Sequence, residues 1–279
     1  MKVVRARHAG ACYGVQRALD MAYAAICDGG TAHTLGPLIH NPQVVQKLEE
    51  RGVKVAESLN DISEGIVIIR SHGVVPQVKI DAAAKGLPII DATCPHVARA
   101  QKAAAGLAED GYQVIAVGEA GHPEVEGMKA HAEVSGNTCI VVASPDELPD
   151  EIEEPVGIVV QTTQSREALD AVVEALVKRG IEPQVKNTIC FATRQRQEAA
   201  AELAERVDAL VIIGGRNSSN TTRLYDICKA ICPRSYHVES SDEIDPVWFE
   251  GCDEIGVTAG ASTPEDQIED VIAYLERLS

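Results

Sequence analysis

The sequence predicts an α/β protein made of three pseudo-symmetric units, each built on a parallel sheet. Two observations predict this class. Short aliphatic runs alternate with amphipathic stretches of about 10–15 residues, which is the pattern of β-α-β units. Three cysteines also stand at one fixed offset from a polar loop, and such internal repetition is the signature of a repeated supersecondary unit. A chain of 279 residues is long enough for this arrangement.

The strands and helices follow from the two patterns. The aliphatic runs predict strands at residues 65–70, 87–91, 112–117, 157–161, 209–214 and 254–258. The amphipathic stretches predict helices at residues 43–51, 97–110, 166–179, 193–207 and 264–278. We expect domains at residues 13–94, 95–190 and 191–279, with the N-terminal strand in residues 1–12 completing the third.

The charge of the chain argues against two classes of partner. Lys and Arg total 25 against 42 Asp and Glu, which gives a net charge of −17. Such a field repels phosphate backbones and anionic membranes, so we expect neither a nucleic-acid nor a membrane role. The first residues lack the apolar region of a signal peptide, and no apolar run reaches the length of a membrane span. These features predict a cytoplasmic protein, in which the eight cysteines are reduced.

Three of the cysteines carry the repetition. A strand-like run precedes each of them, and 28 residues later a further strand ends in a polar loop. A second strand with a polar tip follows in each unit. Because parallel sheets present functional groups at the carboxyl ends of their strands, we expect these groups to face one centre. The cysteines are Cys12, Cys94 and Cys190, the first loops carry His40, His122 and Ser218, and the second tips carry His72, Thr162 and Ser262.

Three thiolates without an obvious fourth protein ligand leave an open coordination site. For zinc, this describes a catalytic centre, because structural zinc sites normally have four protein ligands. For iron and sulfur, it describes a cubane cluster with one iron open to substrate. Ligands from three separate domains suit a bulky cluster better than a single ion. The spacing alone leaves both centres possible.

The polar loops contain small hydrogen-bond donors suited to a phosphate. Residues 217–220 read Asn-Ser-Ser-Asn, and Ser262, His40 and His72 add a hydroxyl and two imidazoles. Ser and Asn are also preferred N-caps, so the same loop predicts a cap for the helix that follows. The two roles are compatible, since a helix N-terminus itself attracts anions. Glu124 is the carboxyl that the repeat places in one of these loops, and we therefore expect it to lie at the same centre.

The chain resembles the 4-hydroxy-3-methylbut-2-enyl diphosphate reductase family from end to end. The resemblance rests on nine motifs in the family's order. They are HAGACYGV, TLGPLIHNP, RSHGV, DATCPHV, GHPEVEG, QTTQS, NTICFAT, NSSNTTRL and VTAGASTP. It implies three α/β domains around a central cavity and a 4Fe–4S cluster with one open iron site. It further implies removal of an allylic hydroxyl to give isopentenyl and dimethylallyl diphosphates, with electrons from a ferredoxin- or flavodoxin-type donor.

The resemblance also implies roles for individual residues. Glu124 matches the residue central to proton delivery, and Thr162 matches the hydroxyl that orients the substrate hydroxyl and the Glu. His122 matches a residue that lines the substrate cavity. The implied cluster ligands are Cys12, Cys94 and Cys190. The implied diphosphate-binding residues are His40, His72, Ser218, Ser219, Asn220 and Ser262.

Two residues beside the cysteines depart from the family pattern, namely Ala11 and His96. We assign no catalytic role to either. The remaining cysteines are expected to be unligated, and the remaining histidines to be structural or on the surface. These residues are Cys27, Cys139, Cys228, Cys232 and Cys252, and His8, His33, His131 and His237. A related reductase or dehydratase with another substrate, and a non-catalytic electron carrier, are the alternative functions.

Overall fold

The computed structural model describes residues 1–26, 30–134 and 136–278, and these residues form twelve strands and nine α-helices. The strands are β1 (Lys2–Arg5), β2 (Ala32–Leu35), β3 (Val53–Ala56), β4 (Ile66–Ile69), β5 (Ile89–Asp91), β6 (Gln113–Val117), β7 (Cys139–Val142), β8 (Val156–Val160), β9 (Gln184–Lys186), β10 (Ala209–Ile213), β11 (Ser235–Val238) and β12 (Glu254–Ala259). The helices are α1 (Tyr13–Ile26), α2 (Pro42–Glu50), α3 (Pro76–Ala84), α4 (Pro95–Glu109), α5 (Pro123–Glu133), α6 (Arg166–Lys178), α7 (Phe191–Ala204), α8 (Ser219–Ile231) and α9 (Glu265–Arg277).

The strands form three parallel sheets of four strands each. Their orders are β3-β2-β4-β5, β7-β6-β8-β9 and β11-β10-β12-β1. The same order therefore recurs in all three, except that the third sheet takes its last strand from the N-terminus, where β1 pairs in parallel with β12. The predicted class, an α/β protein with three parallel-sheet units, is confirmed.

The central strands of the sheets are apolar on both faces because helices cover both faces of a parallel sheet. All five residues of β8 and of β10 are buried. On one face of its sheet, β8 packs with α6 residues such as Leu169 and Leu176, which are almost completely buried. This double coverage holds the strand ends in place, and the strand ends carry the predicted functional residues.

The ends of the predicted helices differ from the structure by a few residues. The helix expected at residues 97–110 begins at Pro95, because proline is favoured in the first turn of a helix. The helix expected at residues 193–207 begins at Phe191 and ends at Ala204. In both cases the true start is the residue directly after a cysteine, which places Cys94 and Cys190 at helix N-termini.

The chain divides into two compact units. The smaller unit contains Met1–Gln16, Ile39–Gln46 and Phe191–Ser279, and the larger unit contains Arg17–Leu38 and Lys47–Cys190. The larger unit holds the first two sheets and the smaller unit holds the third. The domain boundaries expected at residues 94 and 190 stay a prediction. No helix among the described residues is long and apolar enough to cross a membrane.

Candidate functional site

Each of the three repeated cysteines directly precedes a helix. Cys12 precedes α1, Cys94 precedes α4 and Cys190 precedes α7. All three are half-buried, and none of the seven cysteines that the structure describes is in a disulfide. Because the positive end of a helix dipole favours nearby negative charge, these positions suit thiolates that bind metal.

One backbone hydrogen bond fixes each of these cysteines to its sheet. The Cys94 N–H donates to the carbonyl of Ser71 at 2.9 Å, in the turn after β4. In the same way Cys190 donates to Thr162 at 3.0 Å, in the turn after β8. In the smaller unit the Cys12 N–H donates to Ala261 at 3.0 Å, in the turn after β12. Each cysteine is therefore held beside the turn that carries a predicted substrate-binding residue.

Glu124 is a buried carboxyl held by Thr162. Its side chain is in the first turn of α5 and the residue is only 2% exposed. The Thr162 hydroxyl donates to one carboxyl oxygen at 2.9 Å, and the Thr162 N–H donates to the other at 2.5 Å. Burial raises the pKa of Glu124 to about 7, although the two hydrogen bonds from Thr162 act to lower it. Half of the Glu124 side chains therefore carry a proton near neutral pH.

Two imidazoles lie at the start of the helix that carries this carboxyl. His122 is the N-cap of α5, and its Nδ1 accepts a hydrogen bond from the Glu124 N–H at 3.1 Å. Its ring meets that of His72 edge to face, with centroids 5.6 Å apart. Burial lowers the pKa of His122, Glu119 acts to raise it, and the guanidinium of Arg70 lowers it further. A neutral His122 fits its role as hydrogen-bond acceptor at the start of the helix.

In the smaller unit, Ser262 and His40 are joined through the backbone. The Ser262 hydroxyl donates to the His40 carbonyl at 3.0 Å. The side chain of Asn41 caps α2 by accepting from the Val44 N–H, and its amide nitrogen donates to the Ser262 carbonyl at 3.0 Å. Asn41 therefore locks the His40 loop against the turn after β12.

The loop at residues 217–220 caps a helix and also contains a buried polar side chain without a partner among the described residues. The Ser218 hydroxyl accepts from the Thr221 N–H, so the predicted capping role is confirmed. Asn220 is 4% exposed, and neither of its amide atoms finds a hydrogen-bond partner within residues 1–26, 30–134 and 136–278. A Cβ on Gly215 would lie 2.8 Å from the His40 carbonyl oxygen, so only glycine permits this close approach. Unsatisfied buried amides of this kind point to a polar ligand.

The other described cysteines and two of the remaining histidines have structural surroundings. Burial raises the pKa of Cys139 and of Cys228 to about 12, so both stay protonated thiols. His131 and His237 lie within hydrogen-bond distance of the carbonyls of Gly127 and Gly214. Cys27 lies outside the described residues.

The structure corrects one equivalence that the sequence implies, namely that of Thr162 with His72 and Ser262. The N–H groups of Cys94, Cys190 and Cys12 donate to the carbonyls of Ser71, Thr162 and Ala261, respectively. Thr162 is therefore equivalent to Ser71 and Ala261 rather than to His72 and Ser262. Thr163, the next residue, takes the equivalent position. Two adjacent threonines look alike in the sequence, and only the backbone contacts distinguish them.

The family model described as LytB protein matches residues 3–276. This chain belongs to the LytB family. Proteins named 4-hydroxy-3-methylbut-2-enyl diphosphate reductase are similar to it over their full length. The protein of Geotalea uraniireducens is 49% identical over 282 residues, covering 100% of this chain and 98% of that protein. The protein of Trichlorobacter lovleyi is 48% identical over 280 residues, covering 100% and 99%.

Two solved structures are also similar to the chain. One is described as (E)-4-hydroxy-3-methyl-but-2-enyl diphosphate reductase, the terminal enzyme of the non-mevalonate pathway. It is 43% identical with a TM-score of 0.73, covering 99% of this chain and 100% of that one. The other is the E-1-hydroxy-2-methyl-but-2-enyl-4-diphosphate reductase from Plasmodium falciparum. It is 27% identical with a TM-score of 0.91, covering 98% of this chain and 87% of that one. Both support the LytB fold.

Sequence reasoning missed the residues that position this LytB site. Asn41 does so through its side-chain amide, Ser71 through its backbone carbonyl, and Gln161 through a completely buried side chain. The Oε1 of Gln161 accepts from the Glu119 N–H at 3.0 Å, which ties the loop of His122 to the turn of Thr162. Their position in the sequence could have indicated this role, because all three stand one or two residues from a predicted site residue.

The protonation of Glu124 can be measured directly. We expect its carboxyl to titrate near pH 7, because burial outweighs the hydrogen bonds from Thr162. Because the folded pKa is raised, the protonated form favours folding, and this stability is lost as pH rises from about 4.5 through about 7. Infrared titration of the protonated carboxyl band, with Glu124→Gln as the subtraction control, measures the value. A band that disappears near the ordinary glutamate pKa contradicts the assignment.

Proposed function

We propose that this chain is a 4Fe–4S-dependent 4-hydroxy-3-methylbut-2-enyl diphosphate reductase. The reaction takes two electrons and two protons, breaks the allylic C–O bond and releases water. The products are isopentenyl diphosphate and dimethylallyl diphosphate. Full-length identity of 49% to a protein of that name supports the substrate and the reaction class.

Glu124 is the observation that carries the proposal. Hydroxide is a poor leaving group, so loss of an allylic hydroxyl needs a proton donor beside the oxygen. A general acid works best when its pKa is near the working pH, and the pKa of Glu124 is about 7. Thr162 holds both carboxyl oxygens, so the donor is oriented as well as protonated. An electron carrier would have no use for such a group.

The cysteine set fits an iron–sulfur cluster. Cys12, Cys94 and Cys190 are half-buried and directly precede helices. Cys139 and Cys228 are buried, and burial raises the pKa of each thiol to about 12. We assign the first three as the ligands, with one iron left open to substrate. When bound, such a cluster would pass the two electrons of the reaction from an external donor to the substrate. Thiol ligation is consistent with a cytoplasmic location, where thiols stay reduced.

The diphosphate is assigned to neutral donors and imidazoles. His40, Ser218, Ser219, Asn220 and Ser262 belong to the smaller unit, and His72 belongs to the larger. Ser218 to Asn220 form the start of α8, where backbone N–H groups and the helix dipole favour an anion. Arg223 lies further along the same helix and is not assigned a role. His122 lines the substrate cavity in this proposal.

The electron donor is assigned by the chemistry of the cluster. A cluster that needs two electrons for each turnover suits a ferredoxin- or flavodoxin-type protein that delivers them one at a time.

The cluster assignment is tested by single Cys→Ser substitutions. We expect Cys12→Ser, Cys94→Ser and Cys190→Ser to lose most of the cluster after anaerobic reconstitution, because each removes one ligand. Cys139→Ser and Cys228→Ser are the matched controls and should keep it. Iron and sulfide content and the visible absorbance report the outcome. A native spectrum for Cys94→Ser, or its loss in Cys139→Ser, refutes the assignment.

The diphosphate assignment is tested with pyrophosphate. We expect Asn220→Ala to bind it about tenfold more weakly or worse, because a hydrogen bond to a charged group contributes roughly 1.5–3 kcal/mol. Asn60→Ala, on an exposed turn, is the control. Isothermal titration calorimetry of the reconstituted protein measures both. Equal affinity in the wild type, Asn220→Ala and Ser262→Ala argues against this site.

The proton-donor assignment is tested by turnover. General acid catalysis contributes about 10²–10⁴-fold, so Glu124→Gln should lose at least roughly a hundredfold in kcat. Glutamine keeps the shape of the side chain, so the cluster and substrate binding should survive. Glu126→Gln, two residues along α5, is the control and should turn over normally. A near wild-type rate for Glu124→Gln with an intact cluster shows that the proton comes from another group.

A further inference from the structure

Two charged side chains are buried in this protein. Of the Asp, Glu, Lys and Arg residues that the structure describes, only Glu124 and Arg196 are buried, at 2% and 5% exposure. Such residues are almost never fully buried, because removing a charge from water is costly. Glu124 has a role in the proposed function, and Arg196 has none so far. Its contacts indicate what this second buried charge does.

The loop before Cys12 is held on two sides. On one side, the Gly10 N–H donates to the Ala259 carbonyl at 3.3 Å, and the Cys12 N–H donates to the Ala261 carbonyl at 3.0 Å. On the other side, the Gly10 carbonyl accepts from the Nη2 of Arg196 at 2.7 Å. The loop is therefore fixed to the end of β12 by its backbone and to α7 by one guanidinium.

The guanidinium of Arg196 lies over the first turn of α7. Arg196 is in the second turn of this helix, and its Nη1 donates to the carbonyl of Ala192, four residues earlier, at 3.0 Å. The side chain therefore points back towards the start of the helix, as helical side chains generally do. The residue directly before this helix is Cys190. One guanidinium thus contacts two carbonyls, each two residues from a proposed cluster ligand.

We propose that Arg196 is a positioning residue of the iron–sulfur site, which holds the Cys12 loop against the start of α7 and raises the reduction potential of the cluster through its buried positive charge. This inference rests on the proposed function. Its two carbonyl acceptors are neutral, so they orient the charge without cancelling it. Because water screens a buried charge only weakly, the charge acts strongly on groups nearby.

The direction of the effect follows from the charges of the site. Three thiolate ligands are negative, and reduction of a cluster adds one more electron. A buried cation beside the ligands favours the electron-rich form and so makes the cluster easier to reduce, since net charge is one determinant of cluster potential. Removal of the charge should therefore shift the potential to more negative values.

The test compares three substitutions in anaerobically reconstituted protein. Arg196→Gln keeps hydrogen-bond donors and removes the charge, whereas Arg196→Lys keeps the charge. Arg206→Gln is the matched control, because the exposed Arg206 also donates to the carbonyl four residues earlier, that of Glu202. Redox titration followed by absorbance gives the potential. Iron and sulfide content reports cluster loading, and thermal unfolding of the apoprotein reports structural damage.

We expect Arg196→Gln to make one-electron reduction of the cluster roughly tenfold less favourable, which is a shift of about 59 mV to more negative potential. Arg196→Lys should titrate close to the wild type because the positive charge remains. Arg206→Gln should also titrate with the wild type.

Three results overturn the inference. They are an unchanged potential for fully loaded Arg196→Gln, an equal shift for Arg196→Lys, and an equal shift for Arg206→Gln. If Arg196→Gln does not hold the cluster, Arg196→Met takes its place. If neither holds it, Arg196→Lys decides: loading with the wild-type potential supports the inference, and any other result overturns it.

Failure of this inference is distinguishable from failure of the proposed function. A wild type that takes up no cluster, or takes it up and does not reduce the diphosphate, rejects the proposed function itself. A wild type that loads and turns over, with a silent Arg196→Gln, rejects only the role of Arg196.

Discussion

The backbone hydrogen bond from each repeated cysteine to the neighbouring turn is the contact on which the rest of the site depends. It joins Cys12 to Ala261, Cys94 to Ser71 and Cys190 to Thr162. Because backbone atoms make it, the side chains at the accepting positions are free to differ between the three sheets. The same frame therefore presents a histidine in one sheet, threonines in another and a serine in the third. The side chains of the turns therefore differ between the sheets, while the backbone hydrogen bond between cysteine and turn stays the same.

Within one of these frames, desolvation decides the state of the key carboxyl. Thr162 gives Glu124 two hydrogen bonds, and each hydrogen bond to a charged group contributes roughly 1.5–3 kcal/mol in favour of the ionised form. The pKa of Glu124 nevertheless rises to about 7, so the loss of hydration outweighs both bonds. The 2% exposure of Glu124 accounts for this loss of hydration.

The sequence was sufficient to predict the architecture, but not the balance between desolvation and hydrogen bonding at Glu124. Its aliphatic runs and the repeated 28-residue offset predicted three parallel sheets. The runs reflect side chains that are buried in strands, and the offset reflects polar residues that directly follow strands. The strand β9 has no such signal, since all three of its residues are exposed. Residue type does not distinguish Glu119, Glu124 and Glu126. The repeat and the motif singled out Glu124, and the structure adds that it is the buried one of the three. Which of Thr162 and Thr163 is equivalent to His72 and Ser262 likewise depends on backbone contacts, and these contacts cannot be recognised from residue type.

The buried amide of Asn220 shows what the proposed anion site demands of the fold. In a chain of net charge −17, a lysine or arginine at this position would tend to pair with one of the 42 acidic residues. Asn220 avoids that competition, but leaving a buried polar group unpaired costs about 1–3 kcal/mol. The covered strands and the cap by Ser218 hold the amide in place despite this penalty. A bound diphosphate oxygen would accept from the amide nitrogen and remove part of this penalty. The free energy recovered in this way would contribute to the binding affinity.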